Sequence, residues 1–118
     1  MRVTFYHYPK CGTCRNAKKW LDENNVDYEA VDIVSHPPSK EELASYYEKS
    51  GLELKKFFNT SGQKYRELGM KDKMKTYSED ELLEVLASDG MLIKRPLATD
   101  GKNVTLGFKE EVYNEVWK

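Results

Sequence analysis

The sequence predicts an α/β fold built on a mixed sheet of about four strands with a helical insertion, and three observations carry that expectation. The alternating run Val3-Thr4-Phe5-Tyr6-His7-Tyr8 leads into a helical pattern with Cys14, Ala17 and Leu21 on one face and Trp20 beside them, after which Tyr28 to Ile33 resumes alternation. A strand-helix-strand unit makes a parallel pair with a right-handed crossover. The stretch from about Ser39 to Gly90 has helical spacing and two capping-box patterns, and near the C-terminus Leu97-Ala98-Thr99 and Asn103-Val104-Thr105-Leu106 flank the hairpin signal Asp100-Gly101.

Each element has its own local cause. Asn24-Asn25 closes the first helical pattern, and His36-Pro37-Pro38 stops the second strand. Ser39 with Glu42 then caps a helix carrying Leu43, Tyr46, Tyr47 and Ser50 on one side, which Gly51 ends. Leu52, Leu54, Phe57 and Phe58 form an apolar group before a turn at Asn59 to Gly62. Tyr65 and Leu68 mark a short helix that Gly69 ends. The basic stretch around Lys71, Lys73 and Lys75 reads as a solvated loop. Ser78 with Glu81 opens a helix that buries Leu82, Leu83 and Leu86 and stops at Asp89-Gly90. Met91-Leu92-Ile93 is short and apolar, Lys94-Arg95-Pro96 interrupts it, and Phe108, Val112 and Val116 share one face of a closing helix. The order of elements is that of a thioredoxin-like core, occupying residues 1–118 as one domain with an insertion over about 39–90.

Composition narrows the function classes. A chain of 118 residues is long enough for one real core. The formal net charge is −1, and lysines and glutamates are interspersed, which predicts neither a nucleic-acid footprint nor a membrane-binding face. The N-terminus has no apolar h-region and no run reaches the length of a membrane span, so a cytoplasmic protein is expected. In that reducing compartment two close cysteines are more often a working couple than a staple.

The only two cysteines sit in Pro9-Lys10-Cys11-Gly12-Thr13-Cys14-Arg15-Asn16, between the first strand and the first helix. The first N–H groups of a helix lack intrahelical partners and carry partial positive charge, which would stabilise a thiolate at Cys11. Lys10 and Arg15 push the same way, making Cys11 the expected nucleophile. Cys14, about 5 to 6 Å away across a helical turn, is the natural resolving thiol. Three blander readings stand beside this one. A structural disulfide would close a very small loop. A zinc site would lack ligands, since His7 and His36 do not have the required spacing. An inert buried thiol pair is the third. Trp20, Trp117, Tyr46, Tyr47, Phe57 and Phe58 read as core, and strand alternation directs His7 away from the cysteines.

Five blocks in order, Cys11-Gly-Thr-Cys14-Arg-Asn, Phe58-Asn-Thr-Ser-Gly62, Tyr65-Arg-Glu-Leu-Gly69, Leu92-Ile-Lys-Arg-Pro96 and Gly107-Phe108, resemble the ArsC/Spx family of thioredoxin-fold proteins. The resemblance implies Cys11 as the nucleophile, with Arg95 beside it preceding a cis Pro96. A guanidinium there would bind an oxyanion or lower the Cys11 pKa. Gly12, Thr13, Arg15 and Pro96 join these residues as candidates for holding or positioning an anion at the helix start. No tightly bound cofactor is implied, only a glutathione- or thioredoxin-type reductant as co-substrate, with glutaredoxin or thioredoxin as partner and no metal.

The family's arsenate reductases have serine where this chain has Cys14, and they carry two more oxyanion-binding arginines where this chain has Asn59 and Gly107. Each charge-assisted hydrogen bond lost in this way is worth about 1.5 to 3 kcal/mol in a sheltered site, which weighs against arsenate as substrate. Two functions are therefore expected. One is a thiol-disulfide oxidoreductase using Cys11 and Cys14 as a reversible disulfide. The other is an Spx-like redox sensor that binds the C-terminal domain of the RNA polymerase alpha subunit, with the surface near Gly51 as contact and no direct nucleic-acid binding.

Overall fold

The computed structural model describes residues 2–118. Its sheet has four strands, β1 (Val3–His7), β2 (Tyr28–Asp32), β3 (Leu97–Thr99) and β4 (Val104–Leu106), in the order β2-β1-β3-β4. β1 and β2 are parallel, joined by α1 (Gly12–Glu23), while β1–β3 and β3–β4 are antiparallel. This is the mixed sheet of a thioredoxin-like fold. Between β2 and β3 the chain makes α2 (Lys40–Ser50), α3 (Gln63–Glu67), α4 (Met70–Thr76) and α5 (Glu79–Ala87), and α6 (Glu110–Val116) follows β4.

The strand pleat sorts the core into two clusters. Val3 and Phe5 of β1, with Ala98 of β3, pack against Ala17, Trp20 and Leu21 of α1 and against Tyr113 and Trp117. Tyr6 and Leu97 point to the opposite side, where α2 to α5 supply Leu43, Tyr65, Met70, Leu82, Leu83 and Leu86. The sheet is therefore covered on both faces. Both capping boxes form, with Ser39 and Ser78 each accepting from the backbone N–H three residues on while Glu42 and Glu81 reach back. Gly51 ends α2 in the left-handed conformation at φ 68°, where a side chain would be strained.

Three local expectations are corrected. The Lys71 to Lys75 stretch is not a loop but lies in α4, because Met70 is buried and Met74 packs against the same core, fixing one face while the lysines point away. Charge pattern alone hid a helix anchored by two methionines. Phe108 and Val116 pack against the core as expected, but the buried residues of the closing helix are Tyr113 of α6 and, just beyond its end, Trp117, whereas Val112 is 36% exposed. The Trp117 indole donates to Thr105 Oγ1 at 3.0 Å, and this buried bond sets the rotation of the helix. Leu52 is 40% exposed rather than part of the Leu54–Phe57 group. Residues 90–92 form a 3-10 turn, with Ile93 bridging to Phe58.

Gly90 passes so close to β2's exit that a Cβ there would lie 2.0 Å from the Ile33 carbonyl oxygen. Gly90→Ala is therefore expected to lower stability by about 1 to 3 kcal/mol, since backbone must move to admit the methyl. Urea unfolding checks this, and an unchanged midpoint would contradict the packing.

Candidate functional site

β1 delivers the chain to a turn in which the Cys11 N–H donates to the Tyr8 carbonyl at 2.9 Å. Cys11 is the N-cap of α1 with extended backbone angles, and its Sγ accepts from the Cys14 backbone N–H at 3.4 Å. The thiol therefore occupies the position where a serine or aspartate oxygen usually satisfies an orphan helix donor. Cys11 is half-buried, whereas Cys14 is 1% exposed and accepts from the Tyr8 N–H at 3.5 Å. Both are thiols in this structure.

The environments of the two sulfurs differ in consequence. Burial alone would raise the Cys11 pKa, but the Cys14 N–H, the Cys14 thiol, the Arg95 guanidinium and the Thr13 N–H outweigh it and hold Cys11 below its ordinary value. Burial pushes Cys14 up to about 12, and the neighbouring Cys11 adds to the rise. One accessible sulfur is disposed to be thiolate while its buried partner keeps its proton.

Arg95 is the cation that acts on Cys11. Its Nη1 donates to the carbonyls of Met91 and Ile93 at 3.1 and 3.3 Å, and its Nε is buried without a hydrogen-bond partner. The Arg95–Pro96 bond is cis and Pro96 is buried. Lys10 and Arg15, expected to act through sequence proximity, are both exposed. Arg15 folds back so that one guanidinium nitrogen lies 3.9 Å from where a Gly12 Cβ would sit. Gly12 and Thr13 form the exposed first turn of α1. His7 stacks on Phe5 at 5.7 Å, with its pKa lowered by burial. Among the described residues no three of His, Cys, Asp or Glu group as metal ligands.

The two positions where family arginines are expected have other uses. The Asn59 side-chain oxygen accepts from Ser61 and its amide crowds Gly62, while the Lys94 side chain lies across Gly107, 3.4 Å from where a Cβ would stand.

Sequence reasoning missed Tyr8. Its carbonyl holds the Cys11 N–H, its N–H reaches Cys14, and its ring lies 5.3 Å from the Arg95 guanidinium carbon. The position follows a strand and has no motif of its own, so only the cation-π contact reveals it. Tyr8→Leu is expected to slow Cys11 alkylation at pH 7 by up to about threefold by loosening Arg95, and Tyr8→Phe to restore it. Equal rates in all three proteins would show that the ring does not steady Arg95.

The profile of the ArsC family matches residues 6–116. This chain belongs to the ArsC family. Among its relatives, YusI of Bacillus subtilis (strain 168) is 66% identical over 99% of both chains. The protein named arsenate reductase in Rhizobium meliloti (strain 1021) is 33% identical over 81% of this chain and 67% of its own length. The global transcriptional regulator Spx of Streptococcus pyogenes serotype M1 is 28% identical over 92% of this chain and 80% of its own. Among solved structures, an arsenate reductase from Vibrio cholerae superposes with a TM-score of 0.87 at 28% identity, covering 98% of each chain. ArsC-family relatives thus include both a named reductase and a named regulator. Among the described residues of this member, no helix is long and apolar enough to cross a membrane.

Proposed function

We propose that this ArsC-family protein is a cytoplasmic thiol-disulfide oxidoreductase in which Cys11 is the nucleophile and Cys14 the resolving thiol. The observation that carries the reading is the unequal pair: a half-exposed Cys11 at a helix N-cap under Arg95, with a fully buried Cys14 one turn behind it. The Cys11 thiolate attacks one sulfur of a substrate disulfide, forming a mixed disulfide and releasing the other sulfur as thiolate, which takes a proton from water. Cys14 then gives up its proton and attacks Cys11 Sγ, releasing the second substrate thiol and leaving a Cys11–Cys14 disulfide. The substrate gains two electrons and the protein loses two. A glutathione/glutaredoxin or thioredoxin system returns them.

Arg95 favours the attacking thiolate, and Pro96, Gly12, Thr13 and Arg15 border the substrate's approach. Asn59 and Gly107 supply no cation, which favours a disulfide over arsenate as substrate. NADPH consumption tests this with Cys11→Ser as control, using oxidised glutathione or arsenate as oxidant with thioredoxin/thioredoxin reductase, and arsenate alone with glutathione/glutaredoxin, which itself turns over oxidised glutathione. Turnover with the disulfide and none with arsenate is expected. Turnover with arsenate alone would overturn the substrate assignment.

A second reading rests on the similarity to the regulator Spx and on the exposed Gly51-Leu52 surface. In it, oxidation of the same pair is sensed by the C-terminal domain of the RNA polymerase alpha subunit. Equal affinity of oxidised and reduced protein for that domain would remove it.

A further inference from the structure

β4 is an edge strand, and the order β2-β1-β3-β4 leaves its outer side unpaired. Gly107 donates its N–H to Pro96, and Asp100 donates to the Asn103 carbonyl, so these residues face β3. By antiparallel alternation Thr105 also faces β3, whereas the N–H and C=O groups of Val104 and Leu106 point outward. A groove of about 440 Å³ runs along this edge and is lined by all four consecutive residues from Val104 to Gly107. Its two walls belong to opposite faces of the sheet. Leu52, just beyond α2, forms one and Val112 of α6 the other, and these are two of the three large apolar side chains exposed among the described residues.

Such an edge normally invites another strand, and exposed apolar groups on both of its faces suit the alternating side chains of a strand lying in the sheet plane. Charge selects the occupant. Lys56, Lys94 and Lys109 also line the groove, and none is in an ion pair among the described residues. Lys94 lies across Gly107, and Lys109 is two residues further on, so positive charge gathers at that end. Lys56 and Lys94 are shared with an adjoining cavity of about 410 Å³ in which Glu53 is the acidic residue. A second copy paired edge to edge about a two-fold axis would run antiparallel and bring its Asn103 end, not an acidic segment, to Lys94 and Lys109, so dimerisation is the competing outcome of the test.

We propose that the outer edge of β4, between Leu52 and Val112, is the docking surface for an extended, apolar segment of a partner protein with an acidic end, which adds to the sheet as a fifth strand. Main-chain bonds to Val104 and Leu106 supply affinity, alternate apolar side chains cover Leu52 and Val112, and the acidic end meets Lys94 and Lys109. Tyr6, Leu97 and Leu106 are aligned across β1, β3 and β4, so the lysine end of the groove opens at the same end of the sheet as Cys11. Two strand spacings of about 4.8 Å separate β4 from β1, the strand that leads to Cys11, a span that the next few residues of a docked chain can cross. Docking does not require the thiols, so this surface stands or falls separately from the redox reading.

The test titrates the full chain, reduced and as Cys11→Ser, into a fluorescein-labelled peptide of alternating Val and Thr ending in three Glu, with the same peptide ending in three Lys as comparison. Saturable anisotropy with the Glu peptide is expected in both proteins, at least tenfold weaker with the Lys peptide and with Lys94→Glu. Amide exchange at Val104 and Leu106 should slow on binding. Absence of binding by about 1 mM, indifference to Lys94→Glu, unchanged exchange at Val104 and Leu106, or dimerisation through β4 in sedimentation would each overturn the assignment.

Discussion

Cys11→Ser is expected to abolish disulfide reduction to the limit of detection, while Cys14→Ser forms one mixed disulfide per chain and stops. The two cysteines are close in sequence but not equivalent. Serine at position 11 can still accept the Cys14 N–H and cap α1, so the fold should survive while the nucleophile is lost. Serine at 14 leaves the attacking thiolate intact and removes the only other cysteine in the chain. Intact-mass analysis after exposure to oxidised glutathione checks both. A Cys14→Ser protein that still turns over at the wild-type rate would show that external thiol resolves the adduct and that Cys14 is structural.

Arg95→Leu is expected to slow Cys11 alkylation at pH 7 about threefold and to move the midpoint of its pH dependence upward, because the guanidinium adds to the Cys14 N–H and thiol in holding Cys11 below its ordinary value against burial. Arg95→Lys should recover only part of this. A lysine has one compact charge and cannot donate to the Met91 and Ile93 carbonyls while stacking on Tyr8. A wild-type pH profile in Arg95→Leu would assign the lowered pKa to the helix N–H groups alone.

The opposite departures of the two thiols also set the sign of their pH linkage. Cys11 is lowered, so its contribution to stability is full above the ordinary thiol value of 9.0 and is lost as pH falls through its lowered value. Cys14 is raised, so its contribution is present below 9.0 and is lost as pH rises toward about 12. Urea midpoints of Cys14→Ser against wild type should therefore converge between pH 9 and 12 if burial of the neutral thiol is what the fold favours.

Much of this architecture is legible in local chemistry. The strand-helix-strand start, the Ser39 and Ser78 capping boxes, Gly51 at a helix end and the Asp100-Gly101 hairpin each depend on contacts a few residues apart. The failures are long-range. Thr105 rotates α6 through the Trp117 indole, so Tyr113 rather than Val112 faces the core. Met70 pulls a lysine-rich stretch into a helix by packing on residues distant in the chain. At the site, Cys11, Cys14 and Arg95 are visible as residue types in the sequence. That Arg95 is a cation set beside Cys11 follows from the resemblance of its block to the ArsC/Spx family and not from local spacing, because Arg95 reaches Cys11 only when β3 is laid beside β1. Tyr8 escapes for the same reason, since its partner Arg95 enters from the other end of the chain.

The most direct test of the redox account is intact mass spectrometry of the reduced wild-type protein after brief exposure to a small excess of oxidised glutathione. The account predicts loss of two hydrogens with no retained glutathione, and a peptide map joining Cys11 to Cys14. A stable glutathione adduct on wild-type Cys11, or labelling of Cys14 before Cys11, would contradict it.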